Sequence, residues 1–404
     1  MMQETKYILR ENILEKIEPF VGDSLIKVIV GQRRVGKSYV LYQVIDFIKK
    51  LKTKVNIIYI NKEDFQFDSV RNYSDLINYV ESQYKNRHSN HLFIDEIQEI
   101  KQFEKALRHF QNTNKYDIYC TGSNAKLLSG ELATYLSGRY IQIRVYSLSY
   151  KEFLNFHKLT DSEDSLYKYI QFGGMPHLIN LKNRPEVYRE YLNNIINTIV
   201  LHDIVARYNI RNINFLQNLL KFIADSVGSI VSAKRISDYL KSQKLSVQPR
   251  TVIDYLNFVE NVFFIERVNR TEIQGRKIFE IGDKFYFEDI GLRHSLIPYK
   301  QNDINKVLEN LVFHQLKILG YTVFVGKKGD KEIDFVADKD GKTTYIQVAY
   351  LIIDETTHKR EFGNLLSIKD NFRKIVVSMD KFIADSSYQG IEHWEIRDFL
   401  LNFE

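Results

Sequence analysis

Short apolar runs alternate with helical patterns along the first 150 residues of the chain. The runs lie at residues 25–30, 55–60, 91–95, 116–120 and 141–148. A spacing of three and four residues, typical of an amphipathic helix, follows the first run at Val40, Leu41, Val44, Ile45 and Ile48. A second helical stretch, AKLLSGELATYL, precedes the last run. The pattern predicts an α/β core in which strands and helices alternate.

The middle of the chain changes character. Residues 152–211 read as helices, interrupted by FGGMP at 172–176, which is either a hinge or only a helix boundary. Residues 212–295 predict a winged helix-turn-helix: a helix around Leu219, a second in SAKRISDYL with Ser232 as N-cap, and a third in PRTVIDYLNFVE beginning at Pro249. The segments FFIERVNR and GRKIFEI are expected to pair as the wing.

Length and composition limit the number of domains, the kinds of partner and the cellular compartment. A chain of 404 residues suggests two to three domains. The formal charge of +6 is compatible with nucleic acid but does not demonstrate it. The single cysteine, Cys120, excludes an intramolecular disulfide and fits a reducing cytoplasm. No run of about 18 apolar residues occurs, so we expect a cytoplasmic protein without a membrane span.

The first apolar run leads into GQRRVGKS, which matches the phosphate-binding pattern GxxxxGK[ST] in full and is followed by a helix. Main-chain N–H groups in such a loop face phosphate oxygens, Lys37 bridges the β- and γ-phosphates, and the Ser38 hydroxyl ligates Mg²⁺. The residues expected to bind nucleotide are Gly31, Gln32, Arg33, Arg34, Val35, Gly36, Lys37, Ser38 and Tyr39.

A second motif, HLFIDEIQEI, ends an apolar strand in two acids. Asp95 is placed to hold Mg²⁺ and Glu96 to accept a proton from the attacking water, which favours hydrolysis of the nucleotide. After the next strand, Ser123 or Asn124 in TGSN is placed to sense the γ-phosphate, although a simple turn fits equally. NKED at 61–64 resembles a guanine-reading element but precedes Asp95, the wrong order for a GTPase, so we expect ATP.

The strings GQRRVGKS, FIDEIQEI, TGSN, SGRY, YSLSYKEF and FGGMP together resemble an AAA+-related family of bacterial and archaeal P-loop ATPases. Members of this family carry a C-terminal region of unknown function, and the resemblance covers essentially the whole chain. It implies a sheet of strand order 5-1-4-3-2 with helices on both faces and supports the roles given to the nucleotide-site residues. It also implies that Arg139 is an arginine finger acting between subunits of a homo-oligomer, expected to be a ring; a plain surface arginine is the alternative.

Basic residues of the winged helix fall on its turn, the start of its third helix and its wing. The candidates for contact with DNA are Lys241, Lys244, Arg250, Thr251, Arg267, Arg270, Arg276 and Lys277. A protein-docking module is the rival interpretation.

Near the C-terminus, KEIDFVADKDGKTTYIQVAY predicts a β-hairpin turning at Asp340-Gly341. That turn places Asp334 opposite Gln347, with Ala349 on the same face, and the region resembles the PD-(D/E)xK, restriction-endonuclease-like fold. The resemblance implies Glu309, Asp334 and Gln347 as metal ligands, but Ala349 stands where a lysine is required. Lys342, Lys359 or Arg360 are candidate substitutes. We expect weak binding of Mg²⁺ or Mn²⁺ and an inactive nuclease site.

The chain is thus expected to comprise an ATPase core (1–155), a helical lid (156–211), a winged helix-turn-helix (212–297) and a nuclease-fold domain (298–404). Its expected function is Mg²⁺-dependent ATP hydrolysis coupled to movement on or remodelling of nucleic acid, in particular DNA. One alternative is a nucleotide-operated switch that binds a protein partner, and another is an active DNA nuclease-ATPase.

Overall fold

The structure is a computed structural model that describes residues 7–125, 136, 138–245, 247–273, 275, 282–352, 355–380 and 387–404. Contacts between residues divide the chain into two compact units, residues 1–146 with 261–263 and residues 147–260 with 264–404. The lid, the winged helix-turn-helix and the nuclease-fold domain of the predicted division therefore fall almost wholly in the second unit, and their boundaries stay predictions.

The first unit is a parallel sheet with helices between its strands. Its described strands are β1 (Ile26–Val30), β2 (Val55–Asn61), β3 (Ser89–Asp95), β4 (Tyr116–Gly122) and β5 (Tyr140–Arg144). Its described helices are α1 (Glu11–Ile17), α2 (Lys37–Leu51), α3 (Tyr73–Ser82) and α4 (Phe103–Thr113). The strand order is β5-β1-β4-β3-β2, and every pairing is parallel, so the predicted order 5-1-4-3-2 is confirmed.

Burial explains why the strands read as apolar runs. All five residues of β1 are buried, as expected for a central strand covered on both faces. Helix α2 buries the predicted stripe at Val40, Leu41, Val44, Ile45 and Ile48. Because the strands are parallel, the carboxyl ends of β1, β3 and β4 meet at one edge, and this edge carries the candidate nucleotide site.

The second unit begins with helices. They are α5 (Tyr150–His157), α6 (Glu163–Phe172), α7 (Pro185–Thr198) with a π-helical continuation (Ile199–Ala206), α8 (Ile213–Asp225), α9 (Ala233–Ser242), α10 (Pro249–Asn261), α11 (Ile290–Leu296), α12 (Ile304–Ile318), α13 (Glu355–Leu366) and α14 (Ile396–Asn402). Helices α8 to α10 have the order of a helix-turn-helix, and Ser232 caps α9 by accepting a hydrogen bond from the Arg235 N–H.

Nine strands lie among the described residues of this unit. They are β6 (Ile265–Val268), β7 (Arg270–Glu272), β8 (Lys284–Phe287), β9 (Thr322–Lys328), β10 (Lys331–Lys339), β11 (Lys342–Val348), β12 (Arg373–Ser378), β13 (Ser387–Tyr388) and β14 (Ile391–Glu395) among the described residues. One sheet has the order β13-β14-β12-β11-β10-β9-β7, and β6 pairs with β8 in a second.

The β10–β11 hairpin has the predicted register. Phe335 lies opposite Ile346 and Lys339 opposite Lys342, which places Asp334 opposite Gln347. Asp340 and Gly341 both have positive φ, at 50° and 75°, as a two-residue type I′ turn requires.

The structure describes one of the two segments predicted to form the wing. Strand β6, within FFIERVNR, pairs antiparallel with β8, residues KFYF, and the predicted pairing with GRKIFEI lies outside the described residues. Strand β7 leaves this pair and runs parallel to β9 in the seven-stranded sheet. Most of GRKIFEI lies outside the described residues, including Arg276 and Lys277.

The FGGMP segment is a closely packed corner. Helix α6 ends at Phe172, and the Gly174 N–H donates to the Asp289 carboxylate over 2.7 Å. A Cβ on Gly174 would lie 2.3 Å from the Leu148 main-chain oxygen, and one on Gly173 would lie 2.2 Å from Asp289 Oδ1. The glycines are therefore required because the main chain approaches its neighbours too closely for a side chain.

Among the described residues, no helix has the length and apolar character needed to cross a membrane.

We expect Gly174→Ala to lower the free energy of unfolding of the second unit by roughly 1–3 kcal/mol or more, because its methyl group meets rigid backbone. Trp394 is the single tryptophan of the chain and lies on β14, so its fluorescence during urea unfolding reports on this unit. Gly363→Ala is the matched control, since no atom lies within 4 Å of the added Cβ and the residue is inside α13. Equal stability of both variants would contradict the packing argument.

Candidate functional site

The phosphate-binding loop connects β1 to α2. Lys37 is the first residue of α2, and Gly36 precedes it with φ of 96°. A Cβ on Gly31 would lie 2.1 Å from the Val145 main-chain oxygen, so the loop begins where β1 and the segment after β5 touch. Because the loop ends at the N-terminus of α2, its N–H groups offer donors for phosphate oxygens.

Lys37 is buried at the centre of this loop. Its ammonium donates to the Gln32 main-chain oxygen over 3.1 Å and lies 3.5 Å from Glu96 Oε1. The lysine and the proposed general base predicted from separate motifs are therefore brought together. The ammonium is in a position to exchange its contact with Glu96 for one with a phosphate.

Asp95 ends β3 and accepts hydrogen bonds from three hydroxyl groups. The Thr121 hydroxyl donates to Oδ1, the Tyr59 hydroxyl donates to Oδ2 over 3.2 Å, and the Ser38 side chain is also hydrogen-bonded to the carboxylate. Burial raises the pKa of Asp95, against the opposing effect of the hydrogen bonds from Ser38 and Thr121. Ser38 and Asp95, the predicted Mg²⁺ ligands, are thus adjacent and supply the oxygen atoms that this ion prefers.

Glu96 has a left-handed backbone, with φ of 52°. Its N–H donates to the Thr121 hydroxyl over 2.9 Å, and its carboxylate accepts a hydrogen bond from the Gln98 amide. Burial by itself raises the pKa of Glu96, but Lys37 and the Gln98 hydrogen bond outweigh it and hold the pKa below its ordinary value. The carboxylate is therefore ionised at neutral pH and able to accept a proton.

The polar residues after β4 lie at the same edge. Ser123 and Asn124 are both buried, and the Gln98 amide that holds Glu96 also lies 3.3 Å from the Ser123 hydroxyl. Strand β4 lies between β1 and β3, so Ser123 and Asn124 follow a strand adjacent to the acidic strand. Their role as sensors of the γ-phosphate stays a prediction.

The other residues of the phosphate-binding loop differ in their contacts and in their exposure to solvent. Arg33 forms an ion pair with Glu63 of NKED over 3.0 Å, so this string, which follows β2, binds the loop itself. Arg34 and Tyr39 are exposed, and Val35 is buried.

Four residues of the site were missed by the sequence reasoning: Arg10, Tyr59, Gln98 and Thr121. Arg10 donates to the main-chain oxygens of Val35 and Tyr146 over 3.1 and 3.0 Å, fastening the loop from outside it. Thr121 and Gln98 stand inside quoted motifs, so their hydroxyl and amide were a usable signal. Arg10 and Tyr59 gave no such signal in the sequence, because only the folded chain brings them close to the nucleotide site.

Arg139 precedes β5 and is exposed. Its guanidinium lies 3.4 Å from Asn112 Oδ1, and its main-chain oxygen accepts from Ile26 N–H. No described contact joins it to Lys37 or Glu96. An exposed position is compatible with a role toward a second subunit and equally with a surface arginine.

The candidate nucleic-acid residues separate into two groups. Lys241, Lys244 and Arg250 are exposed around the turn between α9 and α10, and Thr251 is half-buried in the first turn of α10. Arg270, half-buried, lies on β7 within the large sheet.

Arg267 belongs with neither group. Its guanidinium donates to Glu260 over 2.6 Å and to Asn257 over 2.9 Å, so its charge is already paired inside the unit. Among the described candidates, the exposed turn between α9 and α10 is therefore the part best placed to meet a phosphate backbone.

The nuclease-like residues converge in the second unit, but a lysine is among them. Glu309 on α12 and Asp334 on β10 both face Lys284 of β8, whose ammonium lies 2.7 Å from Glu309 Oε1 and 3.4 Å from Asp334 Oδ1. The Gln347 amide oxygen accepts from the Asp334 N–H over 3.2 Å.

Of the substitutes suggested by sequence, Lys342 begins β11 at the exposed turn, and Lys359 is exposed on α13. Arg360 is paired with Glu361 over 2.6 Å, and the Glu361 carboxylate is hydrogen-bonded to the Gln347 side chain. Sequence reasoning missed Lys284, which begins the run KFYF directly after Asp283.

Comparison with known proteins identifies the family. Residues 23–154 match the AAA domain family, and residues 163–303 match a domain of unknown function. The chain is 38% identical over 401 residues to an uncharacterized protein of Haemophilus influenzae, covering 98% of both. It is 31% identical over 351 residues to an uncharacterized protein of Methanocaldococcus jannaschii, covering 83% of this chain and 77% of the relative.

A Walker-type ATPase of Pyrococcus abyssi shares the fold, with a TM-score of 0.50, at 13% identity, over 73% of this chain and 97% of that one. The confirmed strand order, the geometry of the phosphate-binding loop and these matches agree, and the chain belongs to the AAA-related family of P-loop ATPases whose members continue into a C-terminal region of unknown function.

Proposed function

We propose that the chain is a Mg²⁺-dependent ATPase that acts as a homo-oligomer and couples ATP hydrolysis to movement on, or remodelling of, DNA. The observation that carries the hydrolytic part is the position of Glu96: its ionised carboxylate lies 3.5 Å from the Lys37 ammonium, next to Asp95, which holds the Ser38 side chain. A site that only stored nucleotide would not need a general base beside the phosphate-binding lysine.

Each residue then has a distinct task. Lys37 and the loop N–H groups bind the phosphates, and Ser38 with Asp95 would hold Mg²⁺, which neutralises charge on the phosphate oxygens. Glu96 orients a water molecule and accepts its proton. The Gln98 amide is hydrogen-bonded to both the Glu96 carboxylate and the Ser123 hydroxyl. Loss of the γ-phosphate beside Ser123 would therefore be transmitted to Glu96 through the Gln98 side chain.

The proposed partner is nucleic acid because exposed cations surround the turn of a helix-turn-helix. Lys241, Lys244 and Arg250 are exposed there, and such a turn is where this motif meets phosphates. The rival function, a switch that binds a protein partner, predicts ATP hydrolysis indifferent to DNA. An active nuclease is not favoured, because Lys284 occupies the space between Glu309 and Asp334.

We expect Lys37→Ala and Glu96→Gln to separate binding from hydrolysis. Lys37→Ala should weaken ATP binding by roughly 10- to 100-fold, because a hydrogen bond to a charged group contributes about 1.5–3 kcal/mol. Glu96→Gln should keep the affinity and slow phosphate release by about 10²- to 10⁴-fold, because only the proton acceptor is lost. Titration with a fluorescent ATP analogue and a phosphate-release assay measure the two effects. Similar losses of affinity in both variants would refute the assignment of Glu96.

We expect Arg139→Ala to lower ATP turnover by a factor on the order of 10³ if its guanidinium reaches the γ-phosphate of a neighbouring subunit. Mixing Arg139→Ala with Glu96→Gln should restore part of the activity, because some interfaces then pair an intact arginine with an intact base. Arg108→Ala, another exposed arginine of the same unit, is the control. If ATP turnover does not depend on protein concentration and mixing restores no activity, Arg139 is a surface arginine without a role between subunits.

We expect duplex DNA to stimulate ATP hydrolysis, and Lys241→Ala/Lys244→Ala to weaken DNA binding. The slope of log affinity against log salt concentration should fall by about 1.8, corresponding to two lost phosphate contacts. Lys49→Ala/Lys50→Ala removes the same charge from the end of α2 and should leave the slope unchanged. Equal effects of the two pairs would point to net charge alone, and ATP hydrolysis unaffected by DNA would favour the protein-binding switch.

A further inference from the structure

Lys284 is surrounded by acids. Its side chain is 1% exposed, and its ammonium lies 2.7 Å from Glu309, 2.8 Å from Glu332 and 3.4 Å from Asp334. These residues come from three elements, β8, α12 and β10. One ammonium group therefore collects the carboxylates that the nuclease-like fold would offer to a metal ion.

Other hydrogen bonds hold several oxygen atoms of the cluster. The Tyr286 hydroxyl donates to Glu309 Oε1, the oxygen that also contacts Lys284. The Val348 N–H donates to Asp334 Oδ2 over 2.9 Å, and the Gln347 amide oxygen is taken by the Asp334 N–H. An ion entering this cluster would have to break several of these hydrogen bonds, because an oxygen-ligand site for Mg²⁺ needs near-octahedral coordination.

The Lys284 ammonium places a positive charge at the centre of the cluster, within 3.4 Å of all three carboxylates. A second cation placed among the same carboxylates would be repelled at close distance in a weakly screened environment.

The position of Lys284 also argues against a catalytic role. The lysine of a nuclease site orients a water molecule beside the metal, whereas the Lys284 ammonium contacts the carboxylates themselves. The side chains of Glu309 and Asp334 are each 12% exposed, so a phosphate group has little access to these two acids, whereas Glu332, at 38%, lies at the edge of the cluster.

We propose that this carboxylate cluster is a cation site filled by the Lys284 ammonium, which excludes Mg²⁺ and Mn²⁺ and fastens β8 to α12 and to the β10–β11 hairpin. The residues do not fit the metal that the fold would imply. Neighbouring contacts support the fastening: the Asn310 side chain of α12 donates to the Phe287 oxygen of β8 and accepts from the Phe287 N–H, at 2.9 and 2.8 Å. The proposal is independent of the ATPase function.

The test uses the full chain without nucleotide and Mn²⁺ as the probe. Electron paramagnetic resonance of free Mn²⁺ counts bound ions, and Trp394 fluorescence follows urea unfolding of the second unit. The wild-type chain should bind no Mn²⁺ that depends on Asp334. Lys284→Met should unfold at lower urea without metal, bind one Mn²⁺ and recover stability in its presence, because the unpaired carboxylates regain a cation.

Two further variants assign the ion to the cluster. Lys284→Met/Asp334→Asn should lose the acquired Mn²⁺ and its stabilising effect. Lys342→Met, a lysine exposed at the hairpin turn, should behave like the wild type.

Two results would overturn the proposal. One is a wild-type chain that binds a Mn²⁺ ion abolished by Asp334→Asn, which would make the cluster a true metal site. The other is a folded Lys284→Met that binds no additional Mn²⁺. The first comparison does not require Lys284→Met to fold, so the proposal stays open to refutation if that variant aggregates.

Discussion

A carboxylate that folding removes from water must be met by a cation or by several hydrogen-bond donors, and both units are arranged around this requirement. In the first unit, Asp117 accepts from buried Lys27, His91, Tyr119 and the Gly22 N–H, which ties β1, β3 and β4 together. In the second unit, Asp289 is met by main-chain N–H groups of the Gly174 corner and of α11, and burial still raises its pKa to about 6. The sites around Lys37 and Lys284 meet the same requirement with an ammonium group.

The roles proposed for the two sites use this requirement in opposite ways, reversibly at the nucleotide site and permanently in the C-terminal cluster. The described ion pair of Lys37 is with Glu96 at 3.5 Å, a distance long enough for the pair to separate when a phosphate competes for the ammonium. Lys284 has three acids, two of them within 2.8 Å, and almost no exposed surface. The closer set of ion pairs around Lys284 is the physical difference on which the two proposals rest.

The spacing of residues in the sequence predicted the features that depend on short stretches of chain. The loop at 31–38, the acids ending β3 and the hairpin register all depend on residues close together in the chain, so their spacing carried the geometry. The pairing of β6 with KFYF was missed because it depends on contacts with distant elements rather than on local spacing. Lys284 was missed for the same reason: its partners are 25 and 50 residues away, and an isolated lysine carries no mark of them.

A carboxylate cluster filled by a lysine limits which substitutions could introduce nuclease chemistry. A metal-dependent site here would require the loss of Lys284 and the change Ala349→Lys. Ala349 is 3% exposed and packs in an apolar cluster with Ile333 and Phe362, so a lysine there would bury its charge among apolar side chains. Loss of Lys284 alone leaves buried carboxylates without a counter-ion. Each single substitution is therefore expected to lower the stability of the protein, so the two changes would have to arise together or be offset elsewhere in the unit.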